Sequence, residues 1–195
     1  MVGQAEVGRR AGRLAIAIGL IAIGAVVCLV LSYIVGGPLG AINDVGNALM
    51  GVLSAILAVQ LRAIARIGWL AVGATVLGAA LTVIGSALVI LGTTGFFLAG
   101  LVSSVGFALI GGWLVVLSRS ATLPTHWPGS LQTLGVVAGA AMVAGIVAIP
   151  GIAMGIDDMA AVPPWLWIFG IGWLGTYLLY PIWCLWMGAA ERRTR

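Results

Sequence analysis

The stretch LAIAIGLIAIGAVVCLVLSYIV, residues 14 to 35, is 22 residues long and contains no charged side chain. A helix rises about 1.5 Å per residue, so this segment is long enough to cross the hydrocarbon core of a bilayer, which is about 30 Å thick. Similar apolar runs recur along the chain. They lack the alternation of apolar and polar residues that is typical of a membrane β-barrel. The sequence therefore predicts an all-α, polytopic helical membrane bundle.

The composition of the whole chain supports this prediction. Of the 195 residues, 62% are hydrophobic and 7% are charged, whereas about a quarter of the residues are charged in typical soluble domains. We predict one domain over residues 1–195 with six transmembrane helices. The first apolar stretch exceeds the roughly 7 to 15 residues of a signal-peptide core, so we expect it to be retained. The predicted spans are about 14–35, 44–61, 68–91, 96–117, 131–153 and 163–188.

The distribution of charge predicts the orientation of the helices. All nine basic residues are arginines, and all of them flank the predicted spans on one side. The opposite loops contain Asp44, Asp157 and Asp158 instead. Because positively charged flanks stay in the cytoplasm, we predict three hairpins with both termini cytoplasmic. The arginines do not form one patch, which argues against a nucleic-acid partner. They are Arg9, Arg10, Arg13, Arg62, Arg66, Arg119, Arg192, Arg193 and Arg195.

Small residues are abundant in the predicted spans. The chain contains 30 glycines, and Gly135 and Gly139 in the fifth span are separated by three residues, as are Gly151 and Gly155 at its end. In lipid, this spacing lets helix backbones approach closely. The pattern indicates tight packing, either within the chain or against a partner.

Proline, cysteine and tryptophan give further structural expectations. Pro181 removes a backbone hydrogen bond to the Tyr177 carbonyl and should kink the sixth helix. Cys28 and Cys184 lie at different depths, so we predict two free thiols. Trp173 lies in the middle of a span and is expected to face the core or a partner. The remaining tryptophans fall near span ends, as an interfacial aromatic belt would: Trp69, Trp113, Trp127, Trp165, Trp167, Trp183 and Trp186.

The segment AINDVGN, residues 41 to 47, opens a polar stripe on the second span. Asn43, Asn47 and Ser54 fall on one helical face together with Gly51 and Ala58. This face could line a hydrophilic cleft or pore mouth in which Asp44 attracts cations. Alternatively, Asn43 or Asp44 caps the start of the helix and the rest of the stripe packs. The sequence favours capping, since Asp44 falls at the predicted end of a span, whereas ionisable residues in mid-membrane indicate function.

Other polar residues give little indication of catalysis. Asp157 and Asp158 form a carboxylate pair that could bind a divalent cation, but no third ligand lies nearby in sequence, so we expect a solvated loop. A three-carboxylate site would require Asp44 to lie beside them. His126, the only histidine, lies in a predicted loop, so we expect neither a His-based catalytic triad nor a zinc cluster. We therefore predict no catalytic residue, no metal site and no cofactor.

The final span, PPWLWIFGIGWLGTYLLYPIWCLWMG at residues 163 to 188, precedes a short basic tail. It resembles the last helix of small, uncharacterised multi-pass proteins of the bacterial inner membrane. The resemblance implies a helical bundle in that membrane and transfers no catalytic residue.

Three classes of function are compatible with these features. We expect a non-catalytic structural or accessory subunit that is embedded in the lipid bilayer and packs against a larger membrane complex. Self-association is the alternative to such a partner. Short loops, abundant glycine and little buried charge favour this role. The alternative is a small transporter or channel that uses the stripe of Asn43, Asn47 and Ser54. A membrane enzyme is least favoured, because the chain lacks a cluster of catalytic side chains.

Overall fold

The computed structural model describes residues 2–193, apart from the side chains of Val2, Gln4 and Ala5. Arg195, one of the predicted flanking arginines, lies outside the described residues. Within that range the chain is all-helical, with no strand. It has six helices that are long and apolar enough to cross a membrane, which confirms the predicted fold class and number of spans. They are α1 Val2–Val35, α2 Leu39–Ala65, α3 Trp69–Ile90, α4 Phe96–Ser118, α5 Gly129–Ala153 and α6 Pro164–Arg192.

The turn between α1 and α2 is shorter than the sequence indicated. Gly36 and Gly37 have φ angles of +73° and +75°, a left-handed conformation that glycine adopts without steric cost and that commonly ends a helix. Pro38 follows, and α2 already begins at Leu39. The expected start near residue 44 was therefore about five residues too late, because the polar residues of AINDVGN lie inside the helix instead of before it.

The six helices form a closed bundle with two distinct ends. Each helix packs against the next one in sequence, and α6 packs against α1. At one end, the Asp157 carboxylate contacts the start of α4, so we refer to this as the aspartate end. At the other, the Ser120 hydroxyl donates to the Ala65 carbonyl at 2.7 Å. Arg66 and Arg119 are adjacent to that contact, so this is the arginine end. Of the six helices, α4 is the most buried.

Glycine pairs allow these helices to approach closely. A Cβ atom on Gly78 would lie 2.5 Å from the Gly106 carbonyl oxygen, and the reverse distance is 2.6 Å. On the next interface, a Cβ on Gly139 would lie 2.6 Å from the Gly111 carbonyl oxygen. Backbones at this separation leave no room for a side chain. The Gly139 position of the predicted small-residue motif is therefore used within the chain.

The last two helices are irregular. A 3₁₀ turn at Ala144–Val147 interrupts α5. In α6, a 3₁₀ turn at Pro164–Ile168 precedes the α-helical Phe169–Leu174, the π-helical Gly175–Leu179 and the α-helical Tyr180–Arg192. The π-helical segment ends just before Pro181, whose ring nitrogen cannot donate to the preceding turn. The deformation therefore falls where the sequence predicted a kink.

The structure corrects the aromatic-belt prediction for three tryptophans. Trp113, Trp127 and Trp183 are buried inside the bundle. Trp183 makes edge-to-face contacts with the other two, with ring centroids 6.5 Å from Trp113 and 6.2 Å from Trp127. Position near a span end indicates depth but not the direction in which a ring points, and here the rings fill the core. Trp69, Trp165, Trp167 and Trp186 remain exposed. Both cysteines are free thiols, as predicted.

Candidate functional site

The polar stripe of α2 faces the interior of the bundle. Asn43 is 1% exposed, Asp44 is 6% exposed and Asn47 is 5% exposed. Neither Asn43 nor Asp44 caps the helix, since the cap position is Pro38 and no side chain bonds there. Asp44 follows Leu39 by five residues, which places it about 8 Å along the helix axis. The structure thus contradicts the capping interpretation and buries these polar groups inside a helix that is long and apolar enough to span a membrane.

A cavity of about 100 Å³ lies beside the stripe at the aspartate end. Asn43, Asp44 and Asn47 line it from α2, and Thr176 and Tyr177 line it from the π-helical segment of α6. In this measure a cavity needs about 10–15 Å³ to hold one water, so this cavity has room for several waters or a small solute. The other polar and aromatic residues of the lining are Ser103 and Ser104 of α4, and Tyr33, Phe96, Phe107 and Trp173.

Hydrogen bonds connect the cavity walls. The Tyr177 hydroxyl donates to the Asn47 side-chain oxygen at 3.0 Å, which joins α6 to α2. The Trp173 indole N–H donates to the Ser104 hydroxyl at 3.0 Å, which joins α6 to α4. A third bond joins α3 to α2, where the Ser86 hydroxyl donates to the main-chain carbonyl of Asp44 at 2.7 Å. These interactions fix the positions of four helices around the cavity.

Two oxygen atoms at the cavity are left without a protein donor. The Asn43 side-chain amide donates to Asp44 Oδ1 at 3.3 Å. Asn43 Oδ1 and Asp44 Oδ2 have no partner. Among the described residues, the lining contains no arginine and no histidine. A buried acceptor without a donor costs about 1–3 kcal/mol, and an unpaired charge costs more. The cavity is therefore complementary to a ligand that donates hydrogen bonds or carries positive charge.

The polar stripe does not line one continuous cleft. Ser54 lies deeper in α2, where its hydroxyl donates to the Met50 carbonyl at 2.6 Å and pairs with the Tyr180 hydroxyl at 2.8 Å. Gly51 packs against Thr82 of α3. Of the residues of α2, only Asn43, Asp44 and Asn47 line the cavity.

Asp157 and Asp158 have separate structural partners. Asp157 accepts hydrogen bonds from the backbone N–H groups of Gly95 and Leu98, the latter at 3.0 Å, and so caps the start of α4. Asp158 accepts from the Ala160 N–H at 2.9 Å within its own loop. In residues 2–193, no group of three His, Cys, Asp or Glu side chains is arranged to hold a metal ion. The two aspartates do not form a three-carboxylate site with Asp44.

His126 lies at the arginine end, away from the cavity. Its ring nitrogen Nε2 is 2.9 Å from Glu191 Oε1, and the Trp127 indole N–H donates to the same oxygen at 2.6 Å. These contacts attach the loop between α4 and α5 to the last turns of α6. His126 therefore has a structural partner on α6.

Sequence reasoning missed the part of the cavity that α6 contributes. Trp173 and Tyr177 are four residues apart and fall on one helical face. They combine aromatic rings with hydrogen-bond donors in a glycine-rich helix just before Pro181. This combination is the sequence feature that could have indicated the contribution of α6 to the cavity. No family model matches the chain, and neither the curated proteins nor the solved structures contain a match.

Proposed function

We propose that this chain is a multi-pass protein of a bacterial inner membrane, arranged as three hairpins with both termini in the cytoplasm. The one-sided distribution of arginines supports the orientation. The contact of Gly12 in α1 with Glu191 in α6 supports a common side for the two ends of the chain. The resemblance of the final span to small bacterial inner-membrane proteins supports the choice of membrane.

Site-directed labelling tests the orientation. In a background without Cys28 and Cys184, Thr125→Cys and Met159→Cys place single thiols in opposite loops. A membrane-impermeant maleimide added to intact cells should label the Met159→Cys variant, and the Thr125→Cys variant only after lysis. The reverse pattern would refute the orientation.

We further propose that the protein transports a small polar solute. The observation that carries this proposal is the cavity, in which buried Asn43 and Asp44 present unpaired oxygens inside a membrane-spanning helix. Ionisable groups in this position are costly and are typically found along substrate or ion pathways. The transport alternative is therefore better supported than the accessory role favoured by the sequence.

The geometry suggests how the site would gain access to both sides. The cavity lies near the aspartate end, between the last turns of α1 and α3 and the first turns of α2 and α4. Toward the arginine end, Tyr180 stacks on Trp183 and closes the core. Release to that side would require α6 to move, and the π-helical segment before Pro181 is the irregular point at which it can bend.

Flux into proteoliposomes tests transport. Methylammonium, acetamide and acetate serve as cationic, neutral and anionic probes in a stopped-flow swelling assay. Wild-type protein should accelerate uptake of at least one probe over protein-free liposomes, and Asn47→Leu should remove most of that increase. Val45→Leu, a lipid-facing change two residues away, is the matched control and should transport normally. If wild-type vesicles and protein-free vesicles take up every probe at the same rate, transport is refuted.

A surface groove that could receive a helix of another protein supports a second candidate, the role of an accessory subunit. The groove has a volume of about 560 Å³ and lies on the apolar face between α3, α4 and α5. Small residues line much of it, among them Gly68, Ala74 and Gly112, and such residues favour close approach of another helix. Extraction in mild detergent, followed by size-exclusion chromatography and mass spectrometry, tests this role. Stoichiometric companion proteins would support it, whereas a monomer or homo-oligomer would refute it.

A further inference from the structure

We propose that the cavity binds a small protonated amine, held by Asp44 and Asn43 and surrounded by aromatic rings. This inference rests on the proposed transport function and specifies its substrate class. It follows from three properties of the cavity, namely its unpaired acceptors, its aromatic walls and its size.

The unpaired atoms are both hydrogen-bond acceptors. Asp44 Oδ2 and Asn43 Oδ1 lack donors, and the other oxygen of Asp44 has only the long bond from Asn43. An ammonium group brings both N–H donors and a positive charge, so it satisfies the oxygens and compensates a buried carboxylate. A neutral amide supplies donors without the charge. An anion would be repelled by the carboxylate.

The aromatic walls add to this preference. Tyr33, Phe96, Phe107, Trp173 and Tyr177 all line the same cavity. Aromatic faces attract cations, and the attraction is stronger where the contact is desolvated, as it is in a buried cavity. Organic ammonium ions combine this attraction with hydrophobic contact through their carbon atoms. The ring faces themselves are not oxygen ligands of the kind that a hard metal ion requires.

The donor set does not suit a divalent cation. Calcium takes six to eight oxygen ligands and magnesium requires near-octahedral coordination. Among the described residues that line the cavity, Asp44 is the one carboxylate, Asn43 and Asn47 are the amides, and the Asn47 oxygen already accepts from Tyr177. The carboxylate and amide oxygens therefore fall short of six ligands. An ammonium group needs fewer protein contacts because its own N–H groups are directional donors.

The volume limits the size of the ligand. The cavity measures about 100 Å³, and an engineered cavity of about 150 Å³ in another protein accepts benzene. A solute of up to about four non-hydrogen atoms is compatible with this comparison. Methylammonium and ethylammonium are therefore suitable probes.

Ligand-dependent thermal stability of the purified full-length chain tests the inference. Binding to the folded state raises its stability as RT ln(1 + [L]/Kd), so Tm should rise with probe concentration. We expect methylammonium and ethylammonium chloride to raise Tm, whereas sodium chloride, acetamide and sodium acetate at matched ionic strength should not. Asp44→Asn should weaken amine binding at least tenfold. Asp158→Asn, the matched loss of one carboxylate in an exposed loop, should bind as the wild type does.

Each outcome distinguishes the inference from the proposed function. If sodium or acetamide raises Tm and the amines do not, the amine inference is overturned while a solute site at the cavity stands. Equal amine affinity in wild type and Asp44→Asn would overturn recognition by Asp44. If no probe binds the wild type and none enters proteoliposomes, both proposals fail. If Asp44→Asn does not fold, the difference in Tm rise between the amines and the other probes on the wild-type chain still tests the inference.

Discussion

The role of Asp157 gives a prediction that the structure makes quantitative. Its carboxylate accepts from the backbone N–H groups of Gly95 and Leu98, and α4 has no side-chain cap of its own. Replacing a capping side chain by alanine costs about 0.5–2 kcal/mol, and loss of a negative charge near a helix N-terminus costs about 0.3–1 kcal/mol. Asp157→Ala should therefore lower the free energy of unfolding by about 1–3 kcal/mol.

The matched control is the neighbouring carboxylate. Asp158 bonds only within its own loop through the Ala160 N–H, so Asp158→Ala should change stability by no more than about 0.5 kcal/mol. Thermal unfolding in one detergent, followed by tryptophan fluorescence, measures both. A shift of roughly 2–4 °C in Tm per kcal/mol is expected for a chain of this size. Equal Tm values for both variants would refute the capping role.

Two further variants test the packing in the same unfolding assay. Gly78→Ala should lose about 1–3 kcal/mol because its new Cβ would lie 2.5 Å from a carbonyl oxygen of α4. Gly112→Ala, where nothing lies within 4 Å, should not be destabilised, and equal losses in the two variants would contradict the close approach. Tyr180→Phe should cost about 1 kcal/mol, since it removes a hydroxyl paired with a serine of α2 that keeps a second partner. A loss above about 3 kcal/mol would indicate a larger role for the Tyr180 hydroxyl.

The fold class was predictable because it depends on composition along the chain. An apolar run such as residues 14–35 has few stable alternatives to a helix in lipid, where each backbone polar group must be bonded within its own segment. Glycine and proline near residues 36–38 located the turn between the first two helices. Such an apolar run predicts a membrane helix by itself, independently of the helices that pack against it.

The start of α2 was predicted wrongly for a physical reason. Polar residues usually mark the membrane surface, so the sequence placed Asn43 and Asp44 at a helix end. Their actual position depends on Tyr177 and Ser86, which bond to Asn47 and to the Asp44 carbonyl from helices that are distant in sequence. No local pattern in residues 41–47 encodes those partners.

The α6 wall of the cavity was not predicted, because a local pattern does not show which helices pack together. The spacing of Trp173 and Tyr177 shows that they share a helical face, but not which helix that face meets. Close packing of α6 against α1, where a Cβ on Gly188 would lie 2.6 Å from the Gly12 carbonyl oxygen, helps to set its rotation. The site was therefore recognisable only once the helices were assembled.

The division of α6 into two parts connects the cavity to the proposed transport cycle. Its regular part after Pro181 is held at the arginine end by the Gly188 contact with α1 and by the bonds of Glu191 to His126 and Trp127. Its irregular part carries Tyr177 into the cavity. A ligand held by Asn43 and Asp44 would lie against Tyr177 and so act on the π-helical segment, where the regular α-helical hydrogen-bond pattern is interrupted, while the anchored part stays fixed. We therefore expect ligand-dependent changes in hydrogen exchange to concentrate at Gly175–Leu179, and equal protection throughout α6 would argue against bending at this point.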